Sequence, residues 1–221
     1  MGSLLTSVLP LALGAAVSPL LLTVVIFVLA GRTKPILRAW AFTGGIALVL
    51  LALSFVGAKL LPILVADSSK HSPSDGVFHL VLALALLLLG IRALRKKTEG
   101  SGKLKARIDN ASTWEFFVIG MLAMIGNVTS IVLFLPALHE IGKSTASDTD
   151  KLIVYAMLVV ITLIPALVPV LIATVLGPKA DPILGALNRF VTAHSRQINA
   201  AICFIFAAYL GYKGYVQFTP N

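Results

Sequence analysis

Residues 11–30 read LALGAAVSPLLLTVVIFVLA, apolar enough to cross a bilayer yet interrupted at Ser18-Pro19. Proline removes a helix hydrogen bond and clashes with the preceding turn. Backbone groups freed in this way survive in hydrocarbon only where protein or a watery cavity satisfies them. Residues 120–137, GMLAMIGNVTSIVLFLPA, form a weaker echo interrupted at Gly126-Asn127. There entropy and side-chain competition loosen the helix. Two interrupted spans at matching places in the two halves of a chain point to a transport site.

Six apolar runs reach the length of about 20 residues that a helix needs to cross the hydrocarbon. They lie at 4–30, 36–62, 77–94, 114–138, 151–176 and 198–216. Hydrophobic residues make up 58% of the 221 and charged residues only 12%, against about 25% charged in a soluble domain. The net charge of +9 sits in short loops between apolar runs, as orientation determinants do, so no nucleic-acid partner is expected. No Lys or Arg precedes the first run, so a cleaved signal peptide is not expected.

The loops after runs one, three and five hold thirteen of the eighteen Lys and Arg residues, including every arginine. The positive-inside rule therefore places those loops in the cytoplasm and both termini outside. Three spans per half is an odd number, so the halves enter the membrane in opposite senses. The expected fold is an all-α membrane protein of six transmembrane helices built as two inverted three-helix repeats. Residues 1–97 form the first repeat, 98–111 a basic cytoplasmic linker and 112–221 the second repeat. Within the second repeat, Asp181-Pro182 reads as a helix start, and apolar positions recur at helical spacing with Asn188, Arg189 and Arg196 interleaved. This predicts an amphipathic interfacial helix near 182–194, or else the opening turns of the last span. Ser112 followed by Glu115 predicts a capping box at the start of the fourth span.

No charged residue lies in the middle of any run, so a buried carboxylate relay is not expected. Neutral polar groups at depth are the candidates for a substrate pathway: Ser18 with Pro19, Thr23, Asn127, Thr129 and Ser130. Ser18 and Asn127 stand out because each sits at a break, where helix ends present unpaired N–H and C=O groups. The alternative for such hydroxyls is back-bonding within their own helix or gluing neighbouring helices. Pro136, Pro165 and Pro169 are candidate kinks for gating. His139-Glu140 is the one pair placed to titrate near neutral pH, or else an interfacial pair without a role. Metal-ligand spacing, phosphate loops and nucleophile patterns are lacking, so no enzyme activity, metal or cofactor is expected. The single cysteine, Cys203, excludes a disulfide within one chain.

A first span with a mid-helix Ser18-Pro19, a basic loop into span two, a long basic central loop and a fourth span interrupted at Asn127 resemble the lysine-exporter superfamily. The C-terminal third, ALVPVLIATVLGPKADPILGALNRFVTAHSRQINAAICFIFAAYLGYKG, resembles its glycopeptidolipid- and sulfolipid-addressing (Gap/Sap) branch. The second break in that family commonly reads Asn-Pro, whereas here Val128 follows Asn127. The resemblance implies help in moving cell-envelope glycolipids across the bacterial plasma membrane. The expected function is export or flipping of an amphipathic envelope glycolipid or lipid-linked molecule. The alternatives are a small-solute, amino-acid-like exporter and a non-transporting scaffold for an envelope-lipid machine. Expected partners are membrane lipids, the amphipathic or lipid-linked substrate, and a second copy of the chain or an envelope-lipid biosynthesis protein.

Overall fold

The computed structural model describes residues 2–31, 33–65, 73–95 and 111–218. Most of the basic linker, 98–110, lies outside the described residues. Among the described residues eight α-helices follow one another: α1 Gly2–Ala16, α2 Pro19–Leu29, α3 Pro35–Val65, α4 Pro73–Arg95, α5 Thr113–Gly126, α6 Val128–Lys143, α7 Asp148–Leu176 and α8 Asp181–Phe218. A 3₁₀ turn, Gly177–Ala180, joins α7 to α8, with Gly177 at a φ of 53° that suits a residue without Cβ. No strand occurs among the described residues.

Both interruptions are real, and the second is the sharper. The α1/α2 pair bends by 49° and the α5/α6 pair by 72°, which reverses the expectation of a weaker second break. At the first, Ser18 is extended and its Oγ accepts from Leu21 N, while Pro19 occupies the first helical position. Proline is tolerated there because that N–H has no helical partner to lose. At the second, Asn127 leaves the helical region at φ −84°, ψ 68° without any proline. Its side chain is engaged across the protein instead, as described below.

Pro35–Ala58, Gly76–Arg95 and the helical run Asp148–Val216 are each long and apolar enough to cross a membrane. Counting each bent pair as one span raises the total to five. Large apolar side chains such as Phe55, Leu84, Leu88 and Leu122 face outward, as lipid-facing residues must. The stretch 182–194 is not a separate helix: it forms the opening turns of an unbroken α8. Ser112 and Glu115 form the capping box that opens α5.

Helices α3 and α5 approach to backbone contact. A Cβ added at Gly45 would overlap the Phe117 carbonyl, and one added at Gly120 would overlap that of Phe42. Two backbones meet there because neither presents a side chain, the usual way helices associate without a hydrophobic drive between them. Alongside, the buried Arg38 guanidinium lies 5.1 Å over the Phe116 ring. Trp40 Nε1 donates to Thr174 Oγ1 at 3.3 Å, tying α3 to α7. Helices α4 and α8 run antiparallel along each other: Arg196 donates to Leu94 O at one end, and Gly214 abuts Gly76 at the other. Replacing Gly120 or Gly45 by leucine should lower the unfolding temperature in detergent through an overpacking cost of about 1–3 kcal/mol or more. Gly126→Ala, whose added Cβ meets nothing within 4 Å, should leave it unchanged.

Candidate functional site

The two breaks meet each other. Asn127 Nδ2 donates to Ser18 Oγ at 2.8 Å and to Ser130 Oγ at 2.8 Å, using both of its amide hydrogens. Ser130 Oγ in turn donates to the carbonyl of Ala15 at 2.8 Å. Ala15 is four residues before Pro19, so its carbonyl is the one that proline leaves without a helical donor. The hydroxyl that answers it comes from the other half of the chain. The carbonyl freed at the first break therefore has a protein partner, as a low-dielectric medium demands.

This brace is closed. Ser18, Asn127 and Ser130 are 5%, 9% and 2% exposed, so in this conformation they bond to one another rather than face open space. Pro19 starts α2 and Thr23 lies half-buried one turn on. Thr129, also half-buried, hydrogen-bonds the Cys203 thiol and so links α6 to α8. Pro136 in α6 and Pro165 and Pro169 in α7 are buried inside helices that continue through them.

The larger open volume lies toward the basic end. An open cleft of about 600 Å³ is lined by Ile26, Phe27 and Gly31 after the first break, by Ala173 of α7, and by Asp181, Leu184 and Asn188 of α8. Its walls are mainly apolar, with Asp181 and Asn188 as polar groups. Asn188 Oδ1 accepts from Thr192, which leaves its amide hydrogens to donate. Volume and lining match the general pattern of small-molecule sites, about 300–1,000 Å³ with few polar groups.

At the opposite end, His139 and Glu140 belong to a larger cluster. Glu140 Oε1 lies 2.8 Å from Lys213 Nζ on α8 and 3.6 Å from His79 Nε2 on α4. His79 and His139 are almost wholly buried, and their ring centroids are 6.0 Å apart with Phe78 packed against both. His79 and Lys213 were not legible as partners, because each stands alone in its own apolar segment and nothing in the spacing joins them. Ala15 could have been found, since counting four residues back from Pro19 identifies the orphaned carbonyl. Among the described residues no group of three or more His, Cys, Asp or Glu side chains could hold a metal ion.

Apolar helices with lipid-facing surfaces and two cross-braced breaks define a multi-pass, all-helical membrane protein. A family model for Sap, the sulfolipid-1-addressing protein, matches residues 8–216, and the chain belongs to that family. The match spans both breaks, both ends of the bundle and the C-terminal third, and it ties the protein to lipid handling. No curated protein and no solved structure matches the chain.

The brace yields a double-mutant prediction. Ser130→Ala should cost about 1–3 kcal/mol, the penalty for leaving the Ala15 carbonyl buried and unpaired. In a Pro19→Ala background the restored N–H competes for that carbonyl, so the same substitution should cost about 1 kcal/mol less. Thermal unfolding of the four variants in detergent measures the coupling.

Proposed function

We propose that the protein moves an amphipathic envelope glycolipid or lipid-linked molecule across the bacterial plasma membrane. The observation that carries this reading is the brace, in which a backbone carbonyl freed in one half is held by a hydroxyl of the other. A helix broken at depth costs stability, and pairing two such breaks between halves makes a junction that can part as a unit. The cavity of about 600 Å³ just beyond the first break gives the cargo a loading position. Among the described residues its lining is mainly apolar, with Asp181 and Asn188 as polar groups, which suits an apolar chain with a hydroxyl-bearing head.

In this reading the run Asp148–Val216 holds two crossings. Its 69 residues would extend about 100 Å, more than three hydrocarbon thicknesses, and Gly177 turns the chain within it. With each bent pair as one span, the bundle has six. The packing supports an inverted repeat: α3 packs on α5 as α7 packs on α1, and α2 packs on α7 as α6 packs on α3. Pairs α4/α8 and α3/α7 then face each other across the pseudo-two-fold axis. Helix α8, at about 57 Å for 38 residues, exceeds one crossing, so its first turns extend past the hydrocarbon on the inner side, with Ile183 and Phe190 outward. Basic loops inside and termini outside complete the topology, within the wider lysine-exporter superfamily.

Purified full-length protein in liposomes tests this. The chain alone should move a fluorescent glycolipid analogue between leaflets, and Gly185→Leu, at a residue that lines the cavity, should slow it about tenfold, or about 1.4 kcal/mol of barrier. Efflux of entrapped amino acids without lipid movement would select the small-solute exporter. Neither activity would select the scaffold.

A further inference from the structure

We infer that the small pocket at the end of the bundle opposite the cleft is a sugar site, which takes a neutral, hydroxyl-bearing head the size of one pyranose ring. The pocket holds about 220 Å³ and is lined by Ala58 of α3, Gly142 of α6, and Asp148, Lys151, Leu152 and Tyr155 of α7. That volume equals about seven water molecules, enough for a single ring and too little for the chains of a lipid. A carboxylate, an ammonium and a phenol share this space with an aromatic face.

Consecutive turns of one helix bring them together. Asp148, Lys151 and Tyr155 follow one another at spacings of three and four residues, so they lie along one face of α7. Asp148 and Lys151 are neighbours on that face, yet among the described residues no ion pair joins them and the Tyr155 hydroxyl has no hydrogen-bond partner. Such a set suits a polyol, because each sugar hydroxyl can donate to the carboxylate or accept from the ammonium. The half-buried Tyr155 ring gives the C–H edges of the sugar an apolar surface. Ala58 and Gly142 keep the opposite wall low. One turn deeper on the Ala58 face of α3, Ser54 is 6% exposed and its Oγ has no hydrogen-bond partner among the described residues. A buried hydroxyl in that state calls for a visiting polar group.

The charges of the two ionised lining side chains cancel, which favours a neutral head over an ion. At a rim open to water a zwitterion would gain little from either charge, whereas directed bonds to hydroxyls and contact with the ring add together. Leu152, 69% exposed, carries the rim toward lipid, so a head seated here leaves its chain in hydrocarbon. Sugar binding stands on the pocket alone; its place as the arrival point for a head loaded at the cleft rests on the transport reading.

Leu152→Cys in the full chain, held in phospholipid nanodiscs, tests the inference through the rate at which a water-soluble maleimide labels the introduced thiol. Cys203 is buried and does not compete. Octyl glucoside below its micellar concentration should slow labelling about tenfold near saturation, as a factor of 1 + [L]/Kd requires. Octyl phosphocholine, with the same chain and a zwitterionic head, should leave the rate unchanged. Asp148→Ala and Tyr155→Leu should each abolish the protection, and Tyr155→Phe, which keeps the ring, should retain most of it. Asp148 is exposed, so its variant reads the site should Tyr155→Leu fail to fold. No protection by octyl glucoside, equal protection by octyl phosphocholine, or protection that survives Asp148→Ala overturns the inference. Protection without glycolipid movement in liposomes keeps the sugar site and removes the transporter reading; movement without protection does the reverse.

Discussion

A carbonyl without a donor, in a place without water, is the constraint on which this structure turns. Pro19 takes away the N–H that Ala15 would have used, and Ser130 supplies a hydroxyl from more than a hundred residues further along. Asn127 then holds Ser130 and Ser18 together with both amide hydrogens. In water such a defect would cost little, because solvent would satisfy it. In hydrocarbon an unanswered carbonyl costs several kcal/mol. The brace therefore dictates which helices must touch: α1 with α6 at the breaks, and the remaining helices around them.

The rest of the bundle is assembled by closeness rather than by burial of oily surface. Lipid tails are as apolar as the side chains, so helices gain from fitting tightly and from a few directed bonds. Gly45 and Gly120 bring α3 and α5 into backbone contact, and Trp40 with Thr174 fastens α3 to α7. Polar bonds of this kind are few in number and each joins helices distant in sequence. Open volumes lie at either end of the described bundle, and the Ser18, Asn127 and Ser130 side chains of the brace are buried.

Much of this was legible in the residues, and the failures have physical causes. Ser18-Pro19 announces a break because proline's effect is local and obligatory. Asn127 announces one only weakly, since neither Gly126 nor Asn127 compels the chain to bend. The sharper turn there arises because the Asn127 side chain is worth more to Ser18 and Ser130 than to its own helix, a tertiary preference that no local pattern contains. For the same reason the bonds that join Ser18, Asn127 and Ser130 across the two halves could not be read from either segment alone. The pairing of Glu140 with His79 and Lys213 was hidden because each belongs to a different helix. The stretch 182–194 has amphipathic spacing, but nothing in it stops a helix, so it runs on into the last apolar segment as α8.

The long reach of the Ser130 bond also has a bearing on how the chain is made. The first broken helix emerges from the ribosome more than a hundred residues before the group that completes it. Until then the defect at Pro19 must be borne by the insertion machinery, by a transient water or by delayed entry into lipid. A chain cut short before Asn127 would keep the proline and lack its answer.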